Sequence, residues 1–238
     1  MMAILVVLGV VAAKIYYHYI NKYDDYRINH ARELLADYER AAAENDFHTC
    51  LILIDSIEKE YNTFPHYRDS WEKGVLENYR SSVYLTKALF VVTDSLEKKI
   101  LIKKAASHAI ASAQIYLKWL HTYRSFSEEQ IEAHIRDEFT AGLNEPEAVK
   151  EKMIKKRSKA LTEAQYENLR RLSVSVSNLG ICMRHLNKPL VAAKLYMLAV
   201  NLWEENLEAR NNLHIIQGEE IEKRNILQQL FPPEKKKK

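Results

Sequence analysis

The chain begins with an apolar run and then changes to amphipathic patterning with helical spacing. Residues 1–20, MMAILVVLGVVAAKIYYHYI, carry a single charge, Lys14. From Ile28 to Glu44 the apolar positions Leu34, Leu35, Tyr38 and Ala41 to Ala43 fall on one side of a helix. A turn at Asn45-Asp46 leads into Phe47 to Tyr61, with the stripe Leu51, Ile54, Ile57 and Tyr61, and the two segments predict a helical hairpin. Asn62 to Tyr67, containing Pro65, predicts the next break. Two capping boxes then predict helix starts: Asp69-Ser-Trp-Glu72, running to about Thr93, and Asp94-Ser-Leu-Glu97, running to about Tyr123. On the second of these helices Ala105, Ala109 and Ala113 recur every four residues, a ridge that permits close helix approach. Ser127-Glu-Glu-Gln130 predicts another start, with Phe126 and Ile131 as a hydrophobic staple, and that helix ends near Gly142. Asn144-Glu-Pro-Glu147 predicts a short helix, and Thr162-Glu-Ala-Gln165 the start of a long one leading into Gly180. The last helix meets Gly218, which kinks or divides it.

The stretch from Ser173 to Asn206 reads as two amphipathic helices broken at Asn187-Lys188-Pro189, where Pro189 suits the first turn of the second helix. Gly180 on the first helix and Ala192 and Ala199 on the second allow a close crossing, with Tyr196 as the bulky filler. Asn178, Leu179 and Gly180, then Ala192, Tyr196 and Ala199, resemble a tetratricopeptide repeat, a helix–turn–helix unit of about 34 residues. Asn178-Leu179 recurs as Asn212-Leu213 at that spacing. The pattern departs from the family at Glu204, where a proline is usual, and at Met183, where an aromatic is usual. A weaker match lies at Asn45-Asp46-Phe47, followed by Cys50 and Ile54. The resemblance implies an all-α array of antiparallel hairpins, made irregular by the long middle pair, which acts by binding proteins. It also implies a concave face lined by first helices. Here that face would present Ser177, Asn178, Ile181, Arg184, His185, Arg210 and Asn211 to a partner. Asn178 has a second reading, as a structural hydrogen-bonder between adjacent helices.

The apolar run ends at Ala13 if Lys14 stays outside the hydrocarbon, and at Ile20, about 30 Å as a helix, if Lys14 snorkels. The basic residues follow the run and no small-residue cleavage site does, so residues 1–22 are expected to be a retained single-pass anchor. A signal peptide, or a helix buried in an assembly, is the alternative. Lys14, Lys22 and Arg27 place the bulk on the cytoplasmic-equivalent side. Mitochondrial, bacterial inner and endoplasmic-reticulum membranes meet that condition alike, and a mitochondrial membrane is the working expectation. Tyr16, Tyr19, Tyr23 and Tyr26 fall along one side of a continuing helix, as an interfacial belt or as a seam against a partner helix. Residues 23–231 form the helical-repeat region, with 173–206 its best repeat, and 232–238 a basic tail. Lys235 and Lys236 meet a dilysine retrieval pattern that four lysines satisfy by composition alone.

With 238 residues, 47% apolar and 28% charged, the chain has the balance of a folded protein. Five glycines and five prolines are too few for an all-β fold. A net charge of +3 gives no footprint for nucleic acid. Two cysteines, Cys50 and Cys182, read as small core residues rather than a disulfide framework. Lys150, Lys152, Lys155, Lys156, Arg157 and Lys159 form a basic stretch, read as a solvated face or as a contact for anionic lipid.

No phosphate loop, dinucleotide fingerprint, zinc-protease helix or nucleophile elbow occurs, and no histidine has a glutamate three residues before it. Cys182 and His185 are half a zinc site at most. The acidic cluster Glu128, Glu129, Glu132, Asp137 and Glu138 reads as the wet side of a helix. Catalytic, cofactor and metal residues are therefore not expected. The expected function is a non-enzymatic, membrane-anchored scaffold, an accessory subunit packing on membrane subunits of a larger complex. A tethered receptor or adaptor for peptide segments, similar to import receptors and fission adaptors, is the alternative. An all-helical enzyme using Glu132 and His134 is a third reading.

Overall fold

The computed structural model describes residues 22–223, and every regular element among them is helical. A 3-10 turn, Tyr26–Ile28, precedes nine α-helices: α1 Asn29–Ala43, α2 Phe47–Thr63, α3 Pro65–Arg68, α4 Glu72–Phe90, α5 Ser95–Tyr123, α6 Glu128–Thr140, α7 Glu147–His185, α8 Pro189–Leu202 and α9 Leu207–Gln217. No helix among the described residues is long and apolar enough to cross a membrane. The anchor expected at residues 1–22, with Lys14, Tyr16 and Tyr19, lies outside the described residues apart from Lys22.

Several boundaries are set by the chemistry read from the sequence. Asn45 takes the left-handed conformation (φ 58°) that asparagine tolerates, and Asp46 caps α2 by accepting from Thr49 N at 3.1 Å. Asp94 caps α5 through Glu97 N at 2.7 Å. Ser127 and Gln130 form the full reciprocal capping box. Pro189 opens α8, and Gly218, at φ 75°, ends α9 rather than kinking it.

Three boundaries differ. Asp69 follows α3 instead of opening α4, and its carboxylate takes Lys118 at 3.1 Å, so α4 begins at Glu72. Thr162 starts nothing. Its hydroxyl donates back to the Ser158 carbonyl at 3.0 Å, the habit of a threonine inside a helix, and α7 runs unbroken for 39 residues. Residues 22–25 are turn rather than helix, so Tyr23 and Tyr26 do not continue a tyrosine stripe. Asp25 caps the 3-10 turn by accepting from Arg27 N, which fixes the chain there.

The described residues divide into two compact units, each built from two chain segments, and α4, α5 and α7 contribute to both. Unit 1, residues 22–76 and 115–168, has its core in Tyr38, Cys50, Ile54, Ile57 and Tyr61 of the α1/α2 hairpin. Ile131, Ile135 and Phe139 of α6 and Ile154 and Leu161 of α7 belong to it too. Gly74 lies against the Tyr116 ring, where a Cβ would stand 2.8 Å from Cε1. Unit 2, residues 77–114 and 169–223, is a core of small residues. Ala88, Ala105 and Ala109 are fully buried, as are Cys182, Ala192, Tyr196 and Ala199. The ridge on α5 passes to Ser112 rather than Ala113, because steps of four alone drift around a helix of 3.6 residues per turn. Ser112 Oγ meets Ser175 Oγ at 2.8 Å.

Candidate functional site

The α7/α8 pair in unit 2 is locked at its crossing. The Tyr196 ring covers Gly180 so closely that a Cβ there would be 2.5 Å from Cε1. Ser173 Oγ donates to the Ala199 carbonyl at 2.6 Å and accepts from Asn206 Nδ2 at 2.8 Å. Asn206 also caps α9, its Oδ1 taking Ala209 N at 3.0 Å.

The seven residues expected to face a partner separate into three groups. Ser177 is buried, and Asn178, half-buried, donates to Asn78 Oδ1 at 3.0 Å and Ser82 Oγ at 3.4 Å. Asn178 thus hydrogen-bonds to α4, in keeping with its second reading as a link between adjacent helices, and Ser177 is closed off by burial. Ile181 packs on the cluster around Ala88, Leu101 and Cys182. Arg184 donates to Asn212 Oδ1 at 3.1 Å, and His185 is exposed, its pKa lowered by partial desolvation and by the charges of Arg184 and Lys98.

Arg210 and Asn211 grip a peptide segment, and that segment belongs to the same chain. After Gly218 the backbone folds back along α9. Asn211 Nδ2 donates to the Glu222 carbonyl at 3.0 Å, while its Oδ1 accepts Glu222 N at 2.7 Å. Arg210 pairs with the Glu222 carboxylate at 3.1 Å, and His214 Nδ1 lies 3.0 Å from the Glu220 carbonyl. This arrangement reads main-chain polarity with one amide and acidity with one guanidinium.

Unit 1 contains a polar cluster that sequence reasoning missed. Arg27 places its fork on Asp25 (Nε–Oδ1 2.9 Å, Nη2–Oδ2 2.8 Å) and donates to the carbonyls of Phe139 and Ala141, both at 2.7 Å. Arg157 donates to Glu72 Oε1 at 2.6 Å and through Nε to His66 Nε2 at 2.8 Å, with its guanidinium 4.8 Å from the centre of the Tyr67 ring. His66 must therefore be neutral, with the proton on Nδ1. Burial, then the charges of Arg157 and Arg27, push its pKa down to about 2. Burial holds the Tyr67 phenol well above its ordinary value. Burial opposes the charge on Arg157 too, but Glu72 beside it more than compensates, so it stays protonated. Glu72 Oε2 and Arg157 Nη2 are buried without a hydrogen-bond partner, while the remaining contacts tie α3, α4 and α7 of this unit together as a structural network.

The basic stretch of α7 is partly drawn into this unit. Lys152 donates to the Tyr23 hydroxyl at 3.2 Å, Lys156 pairs with Asp24, and Arg157 is the buried cation just described. Tyr23 is thus a partner of α7, while Tyr26 is exposed. His134 packs edge-on against Tyr123 and Phe126, and Glu132 pairs with Arg136 at 2.6 Å, so these two side chains do not face each other across a site. The Cys182 thiol is buried and its pKa is pushed up to about 12 by desolvation. Among the described residues no group of three or more His, Cys, Asp and Glu is placed to hold a metal ion.

No family model, curated protein or solved structure matches the chain.

Proposed function

We propose that the protein is a non-enzymatic scaffold: an accessory subunit, anchored by residues 1–22, whose tetratricopeptide-like hairpins pack on membrane subunits of a larger complex. The observation that carries this reading is α8. Its fourteen residues contain one charge, Lys194. Ala192, Tyr196 and Ala199 are buried against α7, yet Val191, Met197 and Leu198 on its other sides are about half exposed. A helix that is apolar all round is normally covered all round, so a partner covers the side carrying Val191, Met197 and Leu198. The anchor keeps the bulk on the cytoplasmic-equivalent side, with a mitochondrial membrane the working assignment. No cofactor, metal or nucleic acid takes part.

The test is extraction in mild detergent followed by mass spectrometry of the material that migrates with the chain. Membrane subunits are expected in fixed stoichiometry, lost from Met197→Glu/Leu198→Glu chains whose helix content is unchanged. A chain that extracts without detergent and migrates alone overturns the reading.

A second reading, a tethered adaptor that receives extended acidic segments, is favoured by Asn211 and Arg210, which already hold such a segment. Such a partner would exchange with the chain's own residues 219–222 and would leave on dilution, whereas a scaffold's partners stay bound.

A further inference from the structure

Two helix turns in unit 2 put apolar side chains into water in a way that neither reading uses. Phe90, at the end of α4, is 81% exposed; Leu96, in the first turn of α5, is 67% exposed; Leu190, in the first turn of α8, is 80% exposed. Val91 and Ile100 beside them are also exposed. Their neighbours Leu89, Val92, Met183 and Leu186 pack into a single cluster around Ala88, Leu101 and Cys182. The α4/α5 and α7/α8 turns therefore open at the same end of the unit. The charge of Lys98 at the start of α5 acts on His185 at the end of α7, which places the two turns side by side.

These side chains are held out by backbone structure. Val91 N and Val92 N both donate to the Lys87 carbonyl at 3.1 Å, closing α4, and Asp94 caps α5. In the other turn Asn187 is left-handed (φ 58°), and Lys188 N returns to the Met183 carbonyl at 2.9 Å, the closure that ends helices tightly. Lys87, Lys98, Lys99 and Lys188 stand among the apolar residues, against the acids Asp94 and Glu97.

We infer that the paired turns are a membrane-contacting tip, with Phe90, Leu96 and Leu190 entering the interface of an anionic bilayer and the lysines lying in its headgroups. Two features select a lipid surface over a protein. The apolar groups sit on two turns at a helix-bundle end rather than lining a groove. Lysines interspersed with aliphatic and aromatic groups are the composition that combines apolar burial with attraction to anionic headgroups, and their stems can cover apolar surface while the ammonium stays wet. The inference does not depend on residues 1–22.

The experiment uses the full chain with an environment-sensitive nitrobenzoxadiazole label on Leu96→Cys; Cys50 and Cys182 are buried and are spared by the reagent. A Lys59→Cys chain, labelled at an exposed position on α2, is the control. Vesicles of phosphatidylcholine, alone or with about one-third phosphatidylglycerol, separate the two membrane ideas. Flotation with the neutral vesicles reports the N-terminal anchor whatever the tip does. A blue shift with a several-fold rise in emission at residue 96, absent at residue 59, is expected on the anionic vesicles and several-fold weaker on the neutral ones. Phe90→Glu/Leu190→Glu is expected to abolish the shift, and Lys98→Glu/Lys99→Glu to reduce it several-fold, with far-ultraviolet circular dichroism unchanged. A label at 96 that keeps its aqueous emission on anionic vesicles overturns the proposal. So does a shift that appears without vesicles as chain concentration rises, which would make the tip a self-association surface, or one that needs an added acidic protein.

Discussion

The two units solve the same problem, burying polar groups inside helical packing, in opposite ways. Unit 1 buries ions: Arg27 on Asp25 and two carbonyls, and Arg157 between Glu72 and a neutral His66. Unit 2 relies mainly on neutral side chains of small reach: Ser81 to the Ala105 carbonyl, Ser112 to Ser175, Ser173 to Ala199 and Asn206, and Asn178 to Asn78. Its ionic contacts, among them Glu77 with Arg80 and His108 and the Arg210–Glu222 pair, are part-buried or closer to the surface. Neutral hydrogen bonds of this kind cost little to bury and are insensitive to pH. A buried ion network stabilises only while every member is present and in the right protonation state. Unit 1 should thus be the brittle one, and substitutions in both units test this.

The largest effect is expected from Arg157→Met, which leaves the Glu72 carboxylate buried without its cation and should cost about 3–5 kcal/mol in urea unfolding. Adding Glu72→Leu should recover much of that loss. If the single variant costs no more than a surface change, the network is not structural. Next come the two glycines under tyrosine rings. Gly180→Ala and Gly74→Ala each drive a Cβ into a ring, of Tyr196 or Tyr116, that is itself 0% or 1% exposed. A loss of about 1–3 kcal/mol is expected at each site, and similar losses would show that packing, unlike electrostatics, is equally tight in both units.

The third effect is pH dependence. His66 binds its proton near pH 6.5 when unfolded and at about 2 when folded. Below pH 6.5 the unfolded chain therefore binds one proton more, and stability falls with pH by up to about 1.4 kcal/mol per unit. His66→Gln, which keeps an acceptor for Arg157, should remove this slope between pH 6.5 and 5. An unchanged slope would mean that His66 is not the group responsible. The smallest effects separate a cap from a surface pair. Asn206→Ala should cost about 1 kcal/mol, whereas Lys118→Ala, whose partner Asp69 is as exposed as itself, should leave the melting temperature unchanged.

Legibility in the sequence follows the range of the interaction. Features decided within four residues could be read directly: the Ser127 box, the turn at Asn45-Asp46, the Asp94 cap, Pro189 at the head of α8. So could the small–large complement of Gly180 with Ala192, Tyr196 and Ala199, because both helices lie in one short stretch. Thr162-Glu-Ala-Gln165 shows where local reading fails. The same letters serve a cap or a helix interior, and Lys155 to Leu161, free of glycine and proline, let α7 continue through them. The network of unit 1 was not legible at all. Arg157 meets His66 and Glu72 from more than eighty residues away, and Arg27 meets Phe139 from still further. The one available signal was Arg157 itself, the sole arginine in a run of lysines, whose planar fork suits a buried carboxylate better than an ammonium does. The same range rule explains Asn178, since its partners Asn78 and Ser82 lie about a hundred residues earlier.

Asn211 binds atoms common to almost every amino acid: one peptide N–H and one peptide C=O. Such a clasp tolerates nearly any replacement of Glu222, which forfeits only the Arg210 pair. Proline is the exception, since it has no N–H to offer. Position 222 can therefore drift through nineteen residues while keeping the returning segment in place, and the twentieth would set that segment loose.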